Sequence, residues 1–399
     1  VVLVILLASL VFAAYPYVVY PLLLRVLALC RPARPRSKEP HEWPTISVAV
    51  PVYNEEAVIR STLESLLRLD YPEDRRQILI VSDASTDRTD AIVSEYVDRG
   101  IEFVRLAERG GKTAAENAAR SALRGEIVVN TDATIRIHPE ALKPLVAACC
   151  DPSVGVASGR DISVSRLEDD SNVGESGYVD YEMKLRALET RVYGIVGASG
   201  CFYAIRSELH CKPVPGALSR DFAAALTARE AGYRAVSVDE AVCYVPRTGS
   251  LHSEYRRKVR TFARGMETLL YKRALLNPFR YGVFAWMLFS HKLCRWLVPW
   301  AGALSVVSLA VLATTQQWAR VILAVAAVGV ALAVIGWAWP RGGSIPRICA
   351  LPAFGLVGNW AVLHAWTRVL RRELNPTWEP TRRGAGDVPS GEPSPPTRC

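Results

Sequence analysis

The chain opens and closes on long apolar runs, and between them short apolar runs alternate with polar ones. Val1 to Leu29 is almost wholly apolar, interrupted by Pro16, Pro21 and Arg25, and is long enough to span a bilayer. It lacks the basic start and small-residue cleavage site of a signal peptide, so it reads as a transmembrane segment. From Thr45 to about Asn277 the pattern changes. Ile46–Val50, Ile78–Val81, Ile101–Leu106 and Glu126–Asn130 are short buried-strand runs, with an amphipathic helix expected over Ala57–Leu69. Strands alternating with helices at this spacing predict an α/β domain whose mostly parallel sheet is covered on both faces. Beyond Pro278 the chain is apolar again. Tyr281–Ser290 is short and aromatic, which suits an interfacial helix. Leu293–Thr314, Ala319–Trp339 and Ile348–Trp366 are each long enough to cross a membrane.

The expected organisation is therefore a transmembrane segment (1–29), a basic linker (30–44) and a cytosolic domain (45–277). An interfacial helix (278–292), a transmembrane region of about three apolar segments (293–370) and a tail (371–399) follow, the tail rich in Pro, Gly and Ser after Pro380 and expected to be partly disordered. The mean hydropathy of +0.13 fits such a mixture better than a soluble protein. The net charge of +9 gathers beside the apolar runs, notably at Arg31–Lys38, which places that end and the following domain in the cytosol of a multi-pass inner-membrane protein. One span before the domain and three after it would send the basic residues 368–372 outward, so either one segment is re-entrant or the spans are miscounted. No basic stripe interleaved with aromatics is present, which argues against nucleic acid as a partner. The nine cysteines show no C-x-x-C pair and read as reduced thiols.

In parallel sheets ligands bind outside the carboxyl ends of the strands, so the loops there hold the chemistry. Asn54 and Glu55 follow the first strand. Asp83, followed by small polar residues, ends the second and suits hydrogen bonding to a ribose or a base edge, while Asp87 fits an Asx turn capping the next helix equally well. Gly110-Gly111-Lys112 opens a helix after the third strand, bringing backbone N–H groups and an ammonium near a diphosphate. Asp132 follows the fourth, where a diphosphate-bound Mg²⁺ or Mn²⁺ would sit. Tyr178, Tyr181 and Glu182 could lie near an acceptor but fit a packed helix face better, and His291 and Lys292 read as interfacial anchors.

These four loops, with Gly197-Ala-Ser-Gly200, Arg220-Asp-Phe222 and Tyr255–Arg260 in the same order, resemble the inverting family 2 glycosyltransferases. The flanking spans resemble those of membrane-bound bacterial polysaccharide synthases of the cellulose and hyaluronan synthase type, as does the closing stretch Asn375–Arg383. The resemblance implies an A-type nucleotide-sugar-binding domain with N- and C-terminal transmembrane helices. It implies a donor site of Pro51, Tyr53, Glu55, Asp83, Lys112, Asp132, Arg257 and Arg260, a metal at Asp132, and an acceptor loop containing Gly197, Ser199 and Gly200. Asp221 would be the catalytic base. The implied partners are a nucleotide-sugar donor, with UDP favoured, and a saccharide or lipid-linked acceptor at the bilayer. The implied activity is inverting sugar transfer in cell-surface polysaccharide synthesis; the alternatives are a single transfer to a lipid or a catalytically silent scaffold. Three positions depart from the pattern: Thr134 replaces the second metal-binding carboxylate, Arg220 replaces the acid before the base, and Thr261 replaces a Trp expected to stack the acceptor sugar.

Overall fold

The computed structural model describes residues 1–31, 39–164, 173–246, 251–339 and 345–373, so residues 32–38 of the basic linker and the stretch Asn375–Arg383 lie outside the described residues. Among the described residues eight strands form one sheet: β1 (Ile46–Val52), β2 (Arg76–Ser82), β3 (Ile101–Arg105), β4 (Ile127–Thr131), β5 (Arg136–Ile137), β6 (Val154–Val164), β7 (Phe202–Arg206) and β8 (Arg234–Pro246). Their order is β3-β2-β1-β4-β7-β6-β8-β5. β1, β2, β3 and β4 run parallel, as the apolar runs predict, and every residue of β1 is buried because helices cover both faces. β7 then pairs antiparallel with β4, aligning Phe202 with Thr131. That reversal brings the loop before β7 beside the loop after β4, where the site forms.

The helices are α1 (Val2–Leu29), α2 (Ile59–Leu67), α3 (Thr89–Ser94), α4 (Lys112–Ala119), α5 (Leu142–Cys150) and α6 (Val173–Val192), followed by α7 (Arg220–Glu230), α8 (Leu251–Tyr271), α9 (Val283–Ala313), α10 (Gln317–Trp337) and α11 (Arg347–Leu370). One core lies between the sheet and α2 and α5. A second joins the domain to the apolar helices, packing Tyr20 and Leu24 of α1 with Leu185 of α6, Met266 of α8, Trp296 of α9 and Val362 of α11.

Among the described residues, four helices, α1, α9, α10 and α11, are long and apolar enough to cross a membrane. Leu7 and Val11 on α1, Val306 and Val307 on α9 and Val325 on α10 are exposed, as lipid-facing positions would be. The segment expected as a separate interfacial helix instead runs into the following span. Val283–Leu288 passes through a π-turn at Phe289–Leu293 into Cys294–Ala313. A second π-turn, Tyr15–Val19, lies in α1, where Pro16 and Pro21 remove backbone donors. The two turns meet: the Tyr15 hydroxyl lies 2.8 Å from Ser290 Oγ and accepts from Trp286 Nε1 at 3.0 Å. The described cysteines are all free thiols.

Candidate active site

Three of the loops at the carboxyl edge hold each other. Asn54, at φ 52°, accepts the Thr86 amide on its side-chain oxygen at 2.8 Å. Ala84 is also left-handed, at φ 56°, a conformation that costs an alanine about 1 kcal/mol and that the surrounding bonds must enforce. Asp87 accepts the amides of Thr89 (2.9 Å) and Glu56 (3.1 Å), so it makes an Asx turn leading into α3 and ties down the loop after β1. Asp83 is 1% exposed and spends both carboxylate oxygens on the amides of Gly110 (2.7 Å) and Gly111 (2.8 Å). Its evident structural task is to pin the glycine loop that launches α4, with Gly111 at φ 88°. Pro51 is buried within β1, and Tyr53, just past its end, is half-buried. The guanidinium of Arg109, a residue that the motif pattern did not single out, lies 3.9 Å from the centre of the Tyr53 ring.

A cavity of about 680 Å³ begins at this edge. Of the residues expected from the sequence, Glu55, Lys112, Asp132, Gly197, Ser199, Gly200, Asp221, Arg257 and Arg260 all line it, whereas Pro51, Tyr53 and Asp83 do not. Lys112 Nζ donates to Asp132 Oδ1 at 2.5 Å and to the Gly200 carbonyl at 3.3 Å. Burial opposes the lysine's charge, but Asp132 and Glu116 outweigh it and hold its pKa above the ordinary value. Ser199 Oγ donates to the Asp161 carboxylate at 2.7 Å, adding an acid from β6 that the motifs did not reveal. Arg257, on α8, donates to buried Glu254 at 2.7 and 2.8 Å. Thr261 lines the cavity without an indole, yet Trp296 of α9 contributes one to the same cavity.

Asp221 stands in the first turn of α7 and takes a 2.5 Å hydrogen bond from Ser219 Oγ on Oδ1. Its Oδ2 faces Gly200, where an added Cβ would sit 3.0 Å away. Gly200→Ala is therefore expected to displace the carboxylate and lower kcat about 10- to 100-fold, measured as product formation at saturating donor. Arg220 does not point at Asp221. It is 6% exposed, lies 3.6 Å from Glu116, and donates to Asn117 Oδ1 (2.5 Å) and the His210 carbonyl (2.9 Å).

Burial, and then the Arg220 charge, push the His210 imidazole down to about 3. An unfolded histidine gains its proton near pH 6.5, whereas the folded one resists until about pH 3, so stability is lost as pH falls through that window. Thermal melts should show a loss of about 2 kcal/mol between pH 7.5 and 5 from this group, and His210→Asn should flatten the slope.

Glu182, Arg186, His291, Lys292 and Arg295 also line the cavity, at its end toward the apolar helices. His291, expected as an interfacial anchor, is 1% exposed and bonds Glu189 through Nδ1 at 2.6 Å. Lys292 likewise faces the cavity, because the π-turn rotates both residues inward.

Residues 47–210 match the pattern of a known family, glycosyl transferase family 2. A β-monoglucosyldiacylglycerol synthase of Synechocystis is 34% identical over 122 residues, covering 30% of this chain and 26% of that one. An N-acetylglucosaminyltransferase of a Rhizobium strain is 27% identical over 262 residues, covering 60% and 57% of the two chains. The chain thus spans well under two thirds of the curated relatives it matches. Among solved structures, the mannosyltransferase PcManGT of Pyrobaculum calidifontis, in complex with GDP-Man and Mn²⁺, superposes with a TM-score of 0.71 at 22% identity, over 94% of this chain and 100% of that one, which establishes a shared fold.

Proposed function

We propose that this chain, a glycosyltransferase whose residues 47–210 form a family 2 domain, transfers a sugar with inversion from a nucleotide donor to a saccharide acceptor held beside Asp221. What carries the reading is the convergence of Lys112, Asp132, Gly200 and Asp221 on one cavity at the carboxyl edge of the sheet. The nucleoside lies toward Tyr53 and Arg109, on the loop braced by Asp83, and the diphosphate lies toward Lys112, Arg257 and Arg260. Asp221 Oδ2, on the side facing Gly200, takes the acceptor hydroxyl's proton as that oxygen bonds to the anomeric carbon. The bond from that carbon to the diphosphate breaks on the opposite face, its electron pair leaving with the diphosphate. Lys112 offers an ammonium to the departing charge. Trp296 offers the acceptor sugar a face to stack on.

Among the described residues no group of three His, Cys, Asp or Glu could hold a metal by itself. One carboxylate, Asp132, beside the expected diphosphate still suits Mg²⁺ or Mn²⁺, which keep water ligands and bind through one or two carboxylates plus substrate phosphates. Asp132 would hold such an ion once Lys112 turned to the phosphates, and the ion would supply Lewis-acid stabilisation of the leaving diphosphate. The PcManGT complex pairs Mn²⁺ with a GDP-sugar, so both UDP- and GDP-sugars belong in the donor set to be tested.

The apolar faces of α1, α9, α10 and α11, with the basic cluster at Arg31–Lys38, support a multi-pass inner-membrane address with the sheet domain in the cytosol. Purified protein screened against nucleotide sugars, with and without Mn²⁺ or Mg²⁺, should release nucleotide from one donor. Failure to bind or turn over any of them would sink the reading. A second reading, one transfer to a lipid-borne acceptor, is favoured by the cavity's reach into the apolar helices. Product sizing separates the two: polymer supports a synthase, and single adducts support the lipid acceptor.

A further inference from the structure

At the cavity's far end, α6 and α9 bury more cations than their carboxylates can satisfy. Glu182 accepts Arg295 Nη1 at 2.9 Å, lies 2.9 Å from His291 Nε2, and pairs at 3.7 Å with Arg186 Nε without a hydrogen bond. Glu189 is taken up by His291 Nδ1 and the Tyr20 hydroxyl, each at 2.6 Å. That leaves Nε and Nη1 of Arg186, and Nε and Nη2 of Arg295, buried with no hydrogen-bond partner among the described residues. The two side chains are only 10% and 8% exposed. Lys292 adds an ammonium beside Gly197, 5.5 Å from the centre of the Phe222 ring, one residue from Asp221. Three cations thus share two carboxylates. A neutral glycan would leave those guanidinium nitrogens desolvated and a single carboxylate, Glu182, shared between two arginines, whereas an anion with several oxygens would satisfy both.

The surroundings indicate what carries the anion. The cavity is lined by exposed residues at Tyr17, Tyr178, Gly355 and Asn359, so it reaches the surface there. Tyr17 belongs to α1, and Gly355 and Asn359 to α11, two of the helices apolar enough to span a bilayer. A Cβ added at Gly355 would meet nothing within 4 Å, so the wall is open at that point. Phe354 and Trp296 provide apolar lining between this opening and the cations. Both π-turns fall here, turning Tyr17 from α1 and His291 and Lys292 from α9 toward the same space.

We propose that the acceptor is a saccharide carried on a phosphate-bearing lipid, its sugar hydroxyl reaching Asp221, its phosphate held by Arg186, Lys292 and Arg295 and its apolar tail leaving past Tyr17, Gly355 and Asn359. Guanidinium forks match phosphate oxygens in pairs, and the excess positive charge matches the phosphate's charge. This rests on glycosyl transfer occurring in the cavity and names the acceptor for it.

The test is binding of a polyprenyl phosphate by the full chain in phosphatidylcholine nanodiscs, against the matching polyprenol and inorganic phosphate. The lipid phosphate should bind at least about tenfold tighter than either, since only it engages both the cations and the apolar opening. Lys292→Met and Arg186→Met should each weaken it about tenfold. Lys292 makes no ion pair among the described residues, so its variant keeps the test valid if Arg186→Met melts early. Equal binding of the polyprenol would overturn the phosphate site, equal binding of inorganic phosphate would overturn the lipid, and full affinity in Lys292→Met would overturn the assignment of residues. Nucleotide-sugar binding by the unaltered protein is measured alongside. Its absence sinks the transferase reading, while its presence without lipid-phosphate binding sinks only this proposal.

Discussion

Asp221→Asn is expected to lower kcat by about 10³-fold while leaving donor affinity within about twofold. The amide keeps the size of the carboxylate and can still accept the Ser219 hydroxyl on its oxygen, so α7 should start as before. What it loses is the oxygen facing Gly200 that can take a proton. The proposed donor contacts, Lys112 and Asp132, are bonded to each other, and Asp221 is held by Ser219, so nucleotide binding measured by calorimetry should survive. A loss of donor affinity matching the loss of rate would mean that Asp221 serves the donor instead. Undiminished transfer would remove it from the chemistry. A protein inactive from the start, with nucleotide binding intact, would favour the catalytically silent scaffold, for which Thr134, Arg220 and Thr261 are the sequence grounds.

The parallel half of the sheet was readable because β1, β2 and β4 are buried on both faces and so appear as largely apolar runs, with only the edge strand β3 more exposed. Ile46–Val52 and Ile78–Val81 are instances. The antiparallel half was not. β6 and β8 mix buried and half-buried positions, and their pairing joins segments about eighty residues apart in the chain. Loop chemistry was legible where a strand end and a polar cluster coincide, as at Asp132. It left both roles open where a carboxylate could serve either a ligand or a turn: Asp87 makes the Asx turn before α3, and Asp83 holds the Gly110 loop. The charged end of the cavity left no local trace. Glu182 and Arg186 look like any charged helix face, and only contact with Arg295, 113 residues away from Glu182, reveals that the face is buried. His291 and Lys292 next to an apolar run fit the usual interfacial anchor, and the π-turn that redirects them has no clear sequence signature.

Arg220→Met should destabilise the protein by about 3–5 kcal/mol, because it removes one partner of a buried ion pair and strands the other. Glu116 is 2% exposed and its Oε2 has no hydrogen-bond partner among the described residues, so the arginine charge 3.6 Å away is its main compensation apart from Lys112. Burial already raises the Glu116 pKa, with Lys112 and Arg220 opposing the rise, so loss of Arg220 should drive the carboxyl toward its neutral form. In that form it no longer helps to hold the Lys112 ammonium, and donor binding should weaken along with stability. The double variant Glu116→Gln/Arg220→Met separates charge from packing. If the pair is a matter of mutual neutralisation, melting temperature should recover most of what the single variant lost, and the two changes should be strongly non-additive. Additive losses would mean that Arg220 acts through its bonds to Asn117 and the His210 carbonyl, which the double variant also lacks. In either case the arginine that stands where an acid is expected lines the cavity paired with Glu116, and Asp221 beside it keeps its Oδ2 toward Gly200.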